Sequence, residues 1–219
     1  MGQMIKLKAS DGHSLSAYQA DPAGKPRGGI VVIQEIFGVT RHIRAVADQY
    51  ASAGYLAVAP ALFDRIEPNI DVPYTDMAKG FAYMKQLKNE DVMRDVEAAL
   101  LKVQSAGKAG SVGYCWGGTM SYLTAARLKP AAAIVYYGGG VNNCLGEKPQ
   151  CPVMFHFGEK DTHIPQSAVA EVKKALPDAP VYLYPADHGF NCTDRASYDA
   201  PSAKLALERS LEFFHEHVG

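Results

Sequence analysis

The chain has 219 residues, a formal net charge of −1 and a hydrophobic share of 47%. This length suits one α/β domain over residues 1–219 better than two average domains. The 22 basic and 23 acidic residues are interleaved without a block of one sign, which argues against a nucleic-acid or membrane-surface partner. The N-terminus has no long apolar run. The sequence therefore predicts neither a signal peptide nor a membrane span, and it favours the cytosol.

Four cysteines, at positions 115, 144, 151 and 192, form no C-x-x-C pair. In a cytosolic chain of this size, the spacings favour free thiols over a disulfide framework or a zinc site. We therefore expect no metal ligand set, and a monomer is our expectation for the oligomeric state.

Turn signals divide the first half of the chain into alternating elements. Asp11-Gly12 between residues 4–8 and 14–18 predicts a β-hairpin. The elements predicted after it are a buried strand over 29–34, a helix over 41–53 stopped by Gly54, a buried strand over 55–59 ended by Pro60, a polar excursion over 64–76, and helices over about 75–87 and 90–105.

The second half continues the alternation. The elements predicted there are strands over 110–114, 131–137, 152–157 and 181–184, with helices over 116–128, 166–176 and 202–217. Strands that alternate with helices predict a mostly parallel central sheet with helices on both faces. Functional residues of such sheets collect at the carboxyl ends of the strands.

The strongest local motif is Gly113-Tyr114-Cys115-Trp116-Gly117-Gly118, between a predicted strand and a predicted helix. This is the context of a nucleophile elbow, with cysteine in the position of the nucleophile. Glycines on both sides remove the side chains that a strained turn would bring into collision. The following helix N-terminus favours a thiolate, and the Trp116 N–H can bind an oxyanion. A buried structural cysteine in a tight turn is the alternative interpretation.

An acid and a histidine follow two later strands. Asp161 comes after the strand over 152–157, and His188 comes after the strand over 181–184. The chain order of nucleophile, acid and histidine is the order of the α/β-hydrolases, and the strand ends bring all three to one sheet edge. Asp187 and Glu159 are alternative acids.

Glu35 ends the apolar run Ile30–Ile33 with Gln34 between. A carboxylate at the end of a buried strand is costly unless it is paired. Glu35 is therefore either a functional group or an exposed turn residue.

Together, Gln34-Glu35-Ile36-Phe37-Gly38, the Cys115 hexapeptide, Gly158-Glu159-Lys160-Asp161 and His188-Gly189-Phe190 resemble the dienelactone hydrolases (carboxymethylenebutenolidases) over nearly the whole chain. The resemblance implies an α/β-hydrolase fold and cleavage of a lactone or small ester through a Cys115 acyl-enzyme. It implies that His188 and Asp161 activate Cys115, and that Glu35 contacts the Cys115 thiol at rest and takes its proton when substrate binds. The N–H groups of Ile36 and Trp116 form the implied oxyanion hole, and no metal or organic cofactor is implied.

The chain departs from the family at the substrate carboxylate. Family enzymes that act on dienelactone bind this group with arginines, one of them four residues after the histidine, where this chain has Cys192, and another near Met77. Arg195 or Lys79 are possible replacements. The resemblance therefore predicts the hydrolase class but not dienelactone as the natural substrate. The side chains predicted to line a more apolar pocket are Phe37, Tyr83, Phe190 and Cys192, with Trp116 and Tyr74 as further candidates.

Three other functions stay open at this point. One is a general carboxylesterase or thioesterase that does not act on dienelactone. Another is a binding module that kept only the fold. The third is a thiol redox sensor, in which Cys192 would resolve an oxidised Cys115.

Overall fold

A computed structural model describes residues 2–219, and Met1 lies outside the described residues. The strands are β1 (Gln3–Lys8), β2 (Ser14–Ala20), β3 (Gly29–Ile33), β4 (Leu56–Pro60), β5 (Ala109–Tyr114), β6 (Ala132–Tyr136), β7 (Val153–Gly158) and β8 (Val181–Tyr184). The α-helices are α1 (Arg41–Ser52), α2 (Met77–Met84), α3 (Asn89–Val103), α4 (Trp116–Arg127), α5 (Gln166–Ala175) and α6 (Ala200–His217).

The eight strands form one sheet in the order β1-β2-β4-β3-β5-β6-β7-β8. The hairpin of β1 and β2 joins β4 in antiparallel pairing, and every pair from β4 to β8 is parallel. The predicted mostly parallel sheet is confirmed. Its carboxyl edge gathers the chain segments that follow β3, β5, β7 and β8.

Both faces of the sheet centre are covered. All five residues of β3 are buried, and successive side chains of a strand point to opposite faces. The crossover through α1 runs towards β4, whereas those through α3 and α4 run the other way along the sheet. Right-handed crossovers therefore place α1 opposite α3 and α4. Helix α6 joins the α1 layer, where Phe214 packs edge-on against Tyr50.

A buried ion pair ties the hairpin to the helical layer. Arg65 donates from Nε and Nη2 to the two carboxylate oxygens of Asp95 on α3, at 2.7 and 2.8 Å. Its Nη1 donates to Asp11 Oδ2 in the hairpin turn at 2.9 Å. The Asp95 side chain is completely buried, so this bidentate pair satisfies a carboxylate that has no access to water.

Two predicted boundaries differ in the structure. The helix predicted over about 75–87 spans Met77–Met84, and its start is set by the Asp76 carboxylate, which accepts the Lys79 N–H. Pro60 is the last residue of β4 rather than the residue after it. Within residues 2–219, no helix combines the length and apolarity that crossing a bilayer requires.

Candidate active site

Cys115 stands at the tip of the turn between β5 and α4. Its backbone has φ 56° and ψ −123°, a region that costs a residue with a side chain about 1–3 kcal/mol. The flanking glycines permit the turn: a Cβ on Gly113 would lie 1.8 Å from the Gly117 carbonyl oxygen, and one on Gly117 would lie 2.3 Å from that of Gln34. The hexapeptide thus forms the strained strand–turn–helix that its glycines predicted.

A hydrogen-bonded series connects the thiol to an acid. His188 Nε2 lies 3.2 Å from Cys115 Sγ, and His188 Nδ1 lies 2.7 Å from Asp161 Oδ2. The other oxygen of Asp161 accepts the backbone N–H groups of His163 and Ile164, at 2.8 and 3.1 Å. These bonds fix the carboxylate, which in turn holds the imidazole with Nε2 facing the sulfur.

The geometry separates Asp161 from the two alternative acids. Asp187 Oδ1 accepts the backbone N–H of His188 at 2.6 Å and so braces the loop rather than the ring. Glu159 is exposed. The carboxylate that contacts the imidazole is that of Asp161.

The contacts of His188 favour its charged form. Burial lowers the pKa of His188, but the charge of the Cys115 sulfur and the hydrogen bonds to Asp161 and Cys115 outweigh burial and raise this pKa to about 10. His188 is therefore placed to hold a proton that it takes from Cys115 across the 3.2 Å contact. This arrangement can give the nucleophile its reactive form.

Two residues whose backbone N–H groups are candidates for an oxyanion hole lie on the wall of the same cavity as the thiol. Trp116 is the first residue of α4, and Ile36 follows the end of β3. Both residues line one cavity together with Cys115 and His188. Within residues 2–219, neither N–H makes a hydrogen bond. The pair is thus suited to bind a developing oxyanion.

Glu35 is buried, and neither of its carboxylate oxygens hydrogen-bonds to another described residue. Arg195 Nη1 lies 3.8 Å from Glu35 Oε1, beyond hydrogen-bond distance. Burial raises the pKa of Glu35, while the charges of Arg195 and His188 and the nearby Tyr74 hydroxyl act in the opposite direction.

The implied resting contact between Glu35 and the Cys115 thiol is absent from the structure. The thiol is hydrogen-bonded to His188, and the carboxylate has Arg195 as its charged neighbour. This part of the resemblance is therefore corrected: the group in contact with Cys115 is the imidazole.

Glu35, His42 and Cys192 bring a carboxylate oxygen, an imidazole nitrogen and a thiol within 4.8 Å of one another, and all three residues are buried. Their chemistry is that of a transition-metal ligand set. The Arg195 guanidinium beside Glu35 places a fixed positive charge there, which opposes a divalent cation. Burial also raises the pKa of Cys192 to about 11, so its thiol would have to lose a proton before it could bind one.

A cavity of about 570 Å³ opens beside the thiol. Its apolar lining comes from Ile36, Met77, Phe81, Met84, Leu87, Trp116 and Met120. Its polar lining comes from Lys85, Asn89, Thr119 and His163, together with Cys115 and His188.

Of the side chains predicted to line the pocket, that of Trp116 lines this cavity, and for Trp116 the prediction is confirmed. The prediction is wrong for Phe37, Tyr74, Tyr83, Phe190 and Cys192. Phe37, Phe190 and Cys192 are fully buried in the packing behind the site. Tyr83 packs against the Phe63 ring, with ring centroids 5.6 Å apart. The residues of α2 that line the cavity, Met77, Phe81 and Met84, lie at other helical positions than Tyr83.

Sequence reasoning missed two parts of the cavity wall. Met77, Phe81 and Met84 have the spacing i, i+4, i+7 within the predicted helix, so their common face was visible in the sequence. His163 lies in the loop after Asp161, and its ring centroid is 5.2 Å from that of His188. No sequence pattern singles out that histidine.

The mostly parallel eight-stranded sheet, with a strained elbow after β5 and an acid and a histidine after β7 and β8, defines an α/β-hydrolase. The chain belongs to the dienelactone hydrolase family, whose family model matches residues 15–218. As a member of this family, it is a carboxylic ester hydrolase.

The chain is similar to known proteins over almost its full length. It is 35% identical to the carboxymethylenebutenolidases of Pseudomonas putida and Pseudomonas knackmussii, over 95% of this chain and 94% of theirs. A candidate dienelactone hydrolase from Klebsiella pneumoniae has a solved structure that matches with a TM-score of 0.87 and 30% identity, over 98% of this chain and 99% of that one.

Proposed function

We propose that the chain cleaves a lactone or a small carboxylic ester through an acyl-enzyme on Cys115. The observation that carries this proposal is the unbroken series from Asp161 through His188 to Cys115 on the wall of a cavity. The names of the Pseudomonas relatives support a lactone or ester as substrate.

In the proposed acylation, His188 Nε2 takes the thiol proton and Cys115 Sγ attacks the carbonyl carbon. The Ile36 and Trp116 N–H groups receive the oxyanion. When the tetrahedral intermediate collapses, the bond to the leaving oxygen breaks, and His188 gives its proton to that oxygen. For a lactone, the leaving alcohol remains attached to the acyl group.

Deacylation repeats the sequence with water. His188 takes a proton from the water, whose oxygen attacks the thioester carbon. Collapse of the second intermediate breaks the C–S bond, releases the carboxylic acid and returns the proton to Cys115. Asp161 keeps the imidazole oriented in both halves. We assign the proton transfers to His188, because it is the group within hydrogen-bond distance of Cys115.

The burial of Cys192 favours this hydrolase over a redox sensor. A resolving cysteine attacks as a thiolate, whereas burial and the charge of Glu35 raise the pKa of the Cys192 thiol to about 11. Cys192 is also fully buried. It is therefore poorly suited to resolve an oxidised Cys115.

The test is steady-state hydrolysis of p-nitrophenyl acetate by three variants. Cys115→Ala should abolish turnover, and His188→Ala should lower kcat/KM about 10⁴-fold or more, as in triads where one member is removed. Cys144→Ala is the matched control, because it removes a thiol outside the site and should leave turnover unchanged. Wild-type turnover by a folded Cys115→Ala variant would end the nucleophile assignment.

A further inference from the structure

The shape of the cavity restricts what can sit beside the thiol. The cavity of about 570 Å³ extends from Cys115 and His188 to the cavity-facing side of α2. This volume lies in the range that holds a small organic ligand. A two-carbon acyl group would leave most of the apolar wall in contact with water.

Helix α2 gives this wall a continuous apolar face. Met77, Phe81 and Met84 all line the cavity, and residues at i, i+4 and i+7 share one side of a helix. Phe81 remains 39% exposed. Gly80 permits the close approach of α2, because a Cβ there would lie 2.7 Å from the Ile36 carbonyl oxygen.

Trp116 and Met120 add to the apolar wall, and part of it is fixed in orientation. Trp116 stacks on Phe63 with ring centroids 5.8 Å apart and an angle of 17° between the planes, so the indole has a set orientation. Met120 also lines the cavity. Together with Met77 and Met84 it gives the cavity three thioether side chains, which adapt to apolar groups of different shape.

Fixed positive charge is scarce at this wall. Of the lysines and arginines in residues 2–219, Lys85 alone lines the cavity, and it is exposed. Arg195 lies instead beside Glu35, with its guanidinium 5.9 Å from the centroid of the Phe37 ring. Lys79 Nζ lies 6.0 Å from the centroid of the Tyr83 ring. An anionic group inside the cavity would lose water without gaining a buried lysine or arginine as partner.

We propose that the preferred substrate is an uncharged ester or lactone with a medium-length alkyl or aryl group that packs against the apolar wall formed by α2 and Trp116. This inference rests on the proposed function and adds the substrate class. Substrate binding is driven by the removal of the apolar face of Met77, Phe81 and Met84 from water. Each methylene of the substrate that is buried against this face adds to the favourable free energy.

Two ester series measure this preference: p-nitrophenyl acetate against p-nitrophenyl hexanoate, and ethyl acetate against hexyl acetate. In at least one series, the longer ester should have a kcat/KM about tenfold higher or more, since several methylenes become buried. The p-nitrophenyl ester of adipic acid, which carries a terminal carboxylate, should fall about tenfold or more below the hexanoate. Equal rates within both series, or a preference for the carboxylate, would overturn the inference.

A pair of surface variants tests whether the preference for the longer ester depends on α2. Phe81→Ser should reduce the preference for the longer ester about threefold or more. Leu205→Ser is the matched control, because Leu205 is 41% exposed and lies outside the cavity; it should leave the preference intact. In one outcome, wild type hydrolyses the acetate, Cys115→Ala does not, and neither ester series shows a chain-length preference. That outcome would refute the proposed substrate class and leave the proposed hydrolase function standing.

Discussion

Two buried carboxylates in this molecule each lie near an arginine, but only one of them is hydrogen-bonded to it. Both oxygens of Asp95 accept hydrogen bonds from Arg65, at 2.7 and 2.8 Å. Neither oxygen of Glu35 accepts one from a described residue, and Arg195 is 3.8 Å away. Burial raises the pKa of both carboxyl groups, so the difference lies in the hydrogen bonds.

The comparison separates a hydrogen-bonded ion pair from a buried carboxylate that lies beside the candidate active site without a hydrogen bond. A buried carboxylate without hydrogen bonds costs stability that the fold must recover elsewhere. Such costs concentrate at active sites, and Glu35 directly precedes Ile36 on the wall of the cavity. Asp95 instead joins α3 to the hairpin through Arg65 and Asp11, where its bonds contribute to stability.

The largest expected effect is a difference in stability between variants of the two arginines. Arg65→Met should cost about 3–5 kcal/mol of unfolding free energy, because it leaves Asp95 buried and unpaired. Arg195→Met should cost only about 1 kcal/mol, because no hydrogen bond to Glu35 is lost and that carboxyl can take up a proton. Urea unfolding of both variants measures the difference.

Activity is the internal control for this pair. Folded Arg65→Met should keep the wild-type KM for p-nitrophenyl acetate, since Arg65 lies outside the cavity. Equal losses of stability in the two variants would contradict the distinction between the two carboxylates.

A smaller effect should appear in the pH dependence of stability. The folded-state pKa of Glu35 is raised above its ordinary value of 4.5. Its contribution to stability is therefore fully present below that value and is lost as pH rises through the folded pKa. Glu35→Gln removes this loss. The unfolding free energy of the variant, relative to that of wild type, should therefore rise by up to about 1.4 kcal/mol for each pH unit between these two pKa values. Urea unfolding at about pH 5 and about pH 8 tests this.

Glu147→Gln provides a control of opposite sign. Glu147 is largely exposed, and its hydrogen bonds to Arg127 lower its pKa below 4.5. Its contribution is present above 4.5 and lost as pH falls. Glu147→Gln should therefore have a slightly lower unfolding free energy than wild type at neutral pH and the same unfolding free energy in acid. A Glu35→Gln variant that behaved in the same way would show that Glu35 is charged and stabilising in the fold.

The sequence predicted the parts of the site that depend on local geometry and strand order. The glycines around Cys115 fix a local turn, and the parallel sheet carries Asp161 and His188 to the edge where Cys115 lies. Interactions across the fold were harder to predict. The neighbours of Glu35 come from distant segments, among them Arg195, and the cavity wall depends on how α2 is rotated against Ile36.

The central claim is that Cys115 carries the acyl group, and a slow carbamate ester tests it most directly. Treatment with p-nitrophenyl dimethylcarbamate, followed by intact-mass and peptide-mass analysis, locates the transferred group, since carbamoyl intermediates hydrolyse slowly. We predict one carbamoyl group per chain on the Cys115 peptide, appearing in step with loss of activity and much more slowly in His188→Ala. Inactivation with the label on another residue, or a labelled Cys115 with full activity, would contradict the account.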